Sequence, residues 1–166
     1  MSAGSRLMVK VHKITTAEAF DADEAVMKKV KNLAGIMANE ADYEACDVVL
    51  LFCPIYSRVG SDVEAALSKV PQGDKPVILV VMHHTRDVDY STCGTSWSER
   101  CQNVALDVHV LFHETMQGLL TCEKNNVAVL EIKNMLLFYS ETVSKVCCEW
   151  FRNLFCYLCK RNRETV

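Results

Sequence analysis

The chain carries no surplus of basic residues: 18 lysines and arginines stand against 21 aspartates and glutamates, for a formal net charge of -3. A dedicated nucleic-acid binder shows the opposite balance, so no nucleic-acid partner is expected. No apolar stretch approaches the roughly 18 to 20 residues of a membrane-spanning helix. The opening "MSAGSRLMVKVHKI" also lacks the apolar core of a secretory signal, so a cytoplasmic location is expected. Neither a G-x-x-x-x-G-K-[ST] phosphate loop nor a G-x-S-x-G nucleophile elbow occurs, which disfavours P-loop nucleotide hydrolysis and Ser–His–Asp hydrolysis. There is no internal repeat and no low-complexity tract.

What is present is the composition of one ordinary domain: 166 residues, half of them apolar and 23% charged. A chain of this size buries a core without disulfides or metal. Its nine cysteines are expected to stay reduced, and Cys46 and Cys53, beside or within an apolar strand, read as small hydrophobes of the core. Cys156 and Cys159 have CxxC spacing, but no second pair completes a zinc set, so neither a metal nor a cofactor is expected.

Along the chain, "RLMVKVHKI" alternates as a strand ending near Ile14. "FDADEAVMKKVKNLAGIMAN" reads as a helix with Asp21 and Glu24 at capping-box spacing, and its apolar period continues to Met37. "CDVVLLFCPI" and "VILVVMHH" are continuous apolar runs, which suit strands covered on both faces of a parallel sheet. Between them, Ser61 is the expected N-cap of a helix from Asp62 to about Val70. "TRDVDYSTCGTSWSERCQ" is a polar loop whose eighteen residues exceed the usual connection. "NVALDVHVLFHE" alternates as a strand, with Val108, Val110 and Phe112 on one face, and helical period resumes from about Asn125.

Strands alternating with helices imply right-handed crossovers and a three-layer, flavodoxin-like α/β domain. Its open sheet should be mainly parallel, of four to five strands, with helices on both faces. That domain is expected over residues 1–143, followed by a tail, 144–166. Ligands in such sheets lie at the carboxyl ends of the strands, which places "PIYSRVGSD" and "HHTRDVD" on one rim.

The first of these stretches supports two readings. Ser61-x-x-Glu64 has the form of a capping box, with Asp62 adding charge against the helix dipole and Gly60 easing the turn. The same residues suit a ligand site. A carboxylate on the first helical turn, Glu64 or Asp62, can stabilise or attack an oxocarbenium-like ribose. Backbone N–H groups around Tyr56, Ser57, Gly60 and Ser61, with Arg58, can receive an anion. His83 and His84 close a strand on the same rim, where alternation lets at most one face a given site. Asp87 or Asp89 is placed to orient that histidine as an acid–base partner of Glu64. His113 with Glu114 closes the next strand in a similar way and reads as structural.

"DVVLLFCPIYSRVGSDVEAAL" resembles the strand–turn–helix of the nucleoside 2-deoxyribosyltransferase superfamily, whose Gly-[Ser/Thr]-x-x-Glu step carries a nucleophilic glutamate. Here that step is Gly60, Ser61, Asp62, Val63, Glu64. The stretch is similar, more loosely, to TIR domains through Ser57 and Glu64. With "KPVILVVMHHT" and "VHVLFHE" it also resembles a family of small vertebrate proteins, found mainly in fish, and that resemblance implies no activity. The transferase resemblance implies a Rossmann-like layout and binding of a nucleotide or nucleoside-like molecule. If the chain is an enzyme, it implies an N-glycosidic bond hydrolase or transferase using Glu64.

The tail "KVCCEWFRNLFCYLCKRNRETV" carries five basic residues against two acidic ones, interleaved with Trp150, Phe151, Phe155 and Tyr157. It reads as a helix packed on the sheet. Alternatively, residues 145–166 make peripheral membrane or protein contact, aided by acylation of Cys147, Cys148, Cys156 and Cys159. A non-catalytic interaction or signalling module with that tail as its contact is the competing functional expectation.

Overall fold

The computed structural model describes residues 7–33 and 35–140. Five strands form one sheet in the order β2-β1-β3-β4-β5, and every neighbouring pair is parallel. They are β1 (Leu7–Thr15), β2 (Ile36–Glu40), β3 (Val48–Ile55), β4 (Val77–His84) and β5 (Val104–Phe112). The helices are α1 (Ala22–Asn32), α2 (Val59–Leu67), a single-turn α3 (Trp97–Arg100) and α4 (Glu123–Phe138). This is a three-layer, flavodoxin-like α/β fold.

β3 and β4 hold the centre because both of their faces are apolar. Val48 to Pro54 and Val77 to His83 are buried without interruption. On one face Leu50, Phe52, Ile78, Val80 and Met82 pack with α1 and α4. On the other, Val49, Leu51, Leu79 and Val81 pack with Val63 and Ala66 of α2 and with Trp97. Each large side chain so buried contributes about 1.5–3 kcal/mol. Asn125, 1% exposed, fastens α4 to the end of β5. Its Oδ1 accepts the Leu111 N–H, and its Nδ2 donates to the carbonyls of Leu111 and Leu120.

Three local expectations are corrected. The first concerns the helix expected to run to Asn39. α1 ends at Asn32, Gly35 turns the chain with φ 93°, and 36–40 becomes the edge strand β2, with Ile36 and Ala38 inward. Glycine accepts that positive φ at little steric cost. The second is the capping box at Asp21 and Glu24, which does not form. Asp21 sits at φ 63° with no side-chain cap bond, and Glu24 pairs instead with Lys13. The third is the start of α2: Arg58, not Ser61, is its N-cap. The tail 144–166 lies outside the described residues. Among those described, no helix is long and apolar enough to cross a membrane.

The β4-to-β5 connection departs from the doubly wound pattern. A crossover between parallel strands usually carries a full helix; residues 85–103 carry only the one turn of α3. Asp107 holds that turn by accepting the Ser98 N–H at 2.9 Å. Among the described residues a layer this thin leaves the β4–β5 side of the sheet incompletely covered, and two concavities open there.

Candidate functional site

The turn after β3 is held by Asp62. Its Oδ2 accepts the backbone N–H groups of Tyr56 and Ser57, each at 2.8 Å. Its Oδ1 accepts the Ser57 hydroxyl at 2.8 Å. The Ser57 N–H, the Ser57 hydroxyl and the Tyr56 N–H hold the Asp62 carboxyl below the usual carboxylate range, outweighing slight desolvation. All three bonds run back along the chain, so Asp62 fixes the turn and does not line the cavity beyond it.

Two residues on, Glu64 is exposed and borders a cavity of about 260 Å³. Because α2 begins before Ser61, the reciprocal bond of a Ser61–Glu64 box is not made. The Glu64 carboxylate takes no hydrogen bond or ion pair among the described residues. Across the cavity stands His83, 6% exposed, with its Nε2 2.9 Å from Nδ1 of His109 on β5. The two rings stack at 5.2 Å, and Tyr90 covers His83 from the loop at 5.3 Å. Burial, then the electrostatic influence of His109 and Lys124, pushes the His83 imidazole down to about 4. At neutral pH it is therefore an uncharged hydrogen-bonding group.

The remaining wall comes from the thin β4–β5 crossover: Ser91 to Thr95, Trp97 and Arg100. Trp97 is 3% exposed, and its indole Nε1 has no hydrogen-bond partner among the described residues. A buried N–H without an acceptor costs about 1–3 kcal/mol. The Arg100 guanidinium lies over the same ring at 5.6 Å. Past the Thr92–Thr95 segment and His109 a second, wider hollow of about 1080 Å³ runs along β5 to the start of α4.

The site lies beside the topological switch point, not at it. In a sheet of this order the switch falls between β1 and β3. There the Tyr56 hydroxyl donates to the Glu18 carbonyl, bridging the two strand ends, and Lys69 Nζ donates to the Thr16 carbonyl at 2.9 Å. The cavity instead lies at β4 and β5, where the 85–103 crossover carries only the single turn of α3.

Of the residues expected on this rim, Glu64, Gly60 and His83 line one cavity. Tyr56, Ser57 and Asp62 form the turn network. Arg58 caps α2, while Ser61 and Asp87 do not line the cavity. Asp87 serves its own loop, where Oδ1 accepts the Asp89 N–H at 2.9 Å. His84 faces away from its neighbour and stacks on His113 with ring centroids 4.6 Å apart. Spacing does not reveal Tyr90, Trp97, Arg100 or His109 as site residues. The only signals in the sequence are the excess length of the loop and the polar inward position of His109 within an apolar strand. No family model, curated protein or solved structure matches the chain.

Proposed function

We propose that the chain binds a nucleoside-type small molecule in the cavity between α2, β4, β5 and the 85–103 crossover. One observation carries the reading: Glu64, whose carboxylate is unengaged among the described residues, and Trp97, whose buried indole N–H has no partner among them, line the same hollow. A carboxylate accepts paired hydroxyls such as those of a ribose, and the indole N–H can donate only to an acceptor such as a ring nitrogen or carbonyl. The neutral His83 imidazole adds a uncharged polar contact. The volume, about 260 Å³, is near the lower limit for small-molecule sites and suits a nucleoside better than a dinucleotide.

N-glycosidic bond processing is a further step that this arrangement supports less well. Glu64 is placed to meet an oxocarbenium-like sugar. An imidazole pushed down to about 4, however, is neutral at physiological pH and so a poor acid toward a leaving base, and Asp62 is turned away. Binding is therefore the function we assign.

The test is a thermal-shift and calorimetric screen of the full chain against NAD, nucleosides and nucleotides, with released base followed chromatographically. Stabilisation by a nucleoside, weakened in Glu64→Gln and in Trp97→Phe, is the expected result. No shift from any member of the panel overturns the reading; a shift without base release limits it to binding.

A further inference from the structure

We propose that His84, His113 and Glu114 form a binding site for a divalent transition-metal ion, with zinc as the ion to test. The site lies at the carboxyl edge of β4 and β5, on the opposite face of β4 from the His83 cavity, and is independent of ligand binding there. β4 and β5 run parallel with His84 in register with Phe112, so the strand endings "HH" and "FHE" bring their imidazoles side by side. The rings of His84 and His113 stack at 4.6 Å with planes 14° apart. Glu114 Oε2 lies 3.4 Å from His84 Nε2. One donor atom from each of the three residues falls within 4.8 Å of the others.

The geometry is close to that of a loaded site. Zinc bonded at ~2.0–2.1 Å in a tetrahedron sets its donors ~3.3 Å apart. The His84–Glu114 edge, at 3.4 Å, already has that length. Glu114 and His84 are exposed, so small side-chain rotations bring the third donor in. Two imidazoles and one carboxylate suit zinc and its first-row neighbours and leave a coordination position open to water or a ligand.

A supporting contact is present as well. His113 Nδ1 lies 2.9 Å from Thr115 Oγ1, so with its proton on Nδ1 the ring donates to that hydroxyl and offers Nε2 to the ion. In the metal-free arrangement the same nitrogen also faces the Thr115 N–H at 3.2 Å and Arg86 Nε at 3.4 Å. Loading moves the ring proton from Nε2 to Nδ1 and displaces the exposed Arg86. On the other side the Phe20 ring, 6.2 Å from His84, gives the site an apolar edge.

The experiment titrates the full, reduced, chelator-stripped chain with Co2+, read by its visible d–d bands, followed by displacement with Zn2+. One ion per chain is expected. Because losing an outer partner costs ~10–100-fold in affinity, His84→Ala and Glu114→Gln should each weaken binding by at least that factor, with circular dichroism unchanged. Thr115→Val should weaken it less. Glu114 is exposed at a turn, so its variant keeps the test decisive even if a histidine variant fails to fold. The proposal is overturned if the chain binds no ion. It is also overturned if Glu114→Gln binds as tightly as the parent, or if a thiolate-to-cobalt charge-transfer band assigns the ion to cysteines.

Discussion

His83 Nε2 and His109 Nδ1 lie 2.9 Å apart across the β4–β5 boundary, so one ring donates its N–H to the other. The pair sits where a parallel sheet would ordinarily present aliphatic side chains to a covering helix. Among the described residues no helix covers this side, and the two polar rings line the cavity in place of a packed layer. Layer thickness and polar content are thus two sides of one feature. The paired imidazoles give each other a hydrogen-bond partner and still line the cavity.

Removing one ring of this pair should be costly. His109→Ala leaves the buried His83 nitrogen without its partner and opens space beside it, and we expect a loss of about 1–3 kcal/mol in urea unfolding at neutral pH. The double replacement His83→Leu/His109→Leu removes both polar groups and should recover part of that loss. A double-mutant cycle showing no coupling between the two positions would refute the hydrogen bond as a stabilising contact.

Asp62 should make stability depend on pH in a defined direction. Its folded-state value is depressed, first by the Ser57 N–H, while an unfolded aspartate titrates near ~3.9. Its contribution is therefore complete above pH ~4 and is lost as the pH falls through the lower folded-state value. At neutral pH, Asp62→Ala should cost about 1–3 kcal/mol through three lost charge-assisted hydrogen bonds. Urea midpoints of parent and variant should approach one another in acid below pH ~4. A gap that stays constant across that range would mean the turn does not rely on the ionised form.

The centre of the sheet was legible because β3 and β4 are buried on both faces and must therefore be apolar throughout. β2 was not: as an edge strand it buries only Ile36 and Ala38, and the helical stripe read through Leu33 to Met37 ran across Gly35, where the chain turns and leaves Met37 exposed. The start of α2 was obscured in a different way. Ser61 and Glu64 have capping-box spacing, but Asp62 reaches back to Tyr56 and Ser57 and stabilises a turn that lets the helix begin at Val59. For the candidate site, Glu64, Gly60 and His83 could be located from strand ends and motif spacing. Trp97, Arg100 and Tyr90 could not, since they sit in an aperiodic loop whose path is set by tertiary contacts such as that of Ser98 with Asp107.

Thiol reactivity offers a map of the same region. Cys53 is buried within β3, and desolvation pushes its thiol up to about 11, so almost no thiolate exists at neutral pH. Cys93 is exposed and lies on the segment shared by the two hollows. Iodoacetamide followed by peptide mass mapping should label Cys93 in the native protein and Cys53 only after denaturation. A nucleoside bound in the smaller cavity should slow labelling at Cys93. Native-state labelling of Cys53 at a comparable rate would contradict its placement in the core.

Trp97→Phe separates the demands of folding from those of binding. The substitution deletes the one buried side-chain N–H that lacks a partner among the described residues, which relieves about 1–3 kcal/mol of desolvation. It also removes part of a well-packed aromatic, which by itself costs a similar amount. The two nearly cancel, so the unliganded variant should unfold within about 1 kcal/mol of the parent, far less than the 3–5 kcal/mol typical of truncating a buried tryptophan to alanine. Ligand affinity has no such compensation. If the indole N–H donates to the bound molecule, its loss should weaken binding by about 1–1.5 kcal/mol, roughly tenfold. Equal affinity in the variant would show that the indole acts only as a wall of the cavity, and a large loss of stability would show that its N–H is satisfied in the unliganded protein.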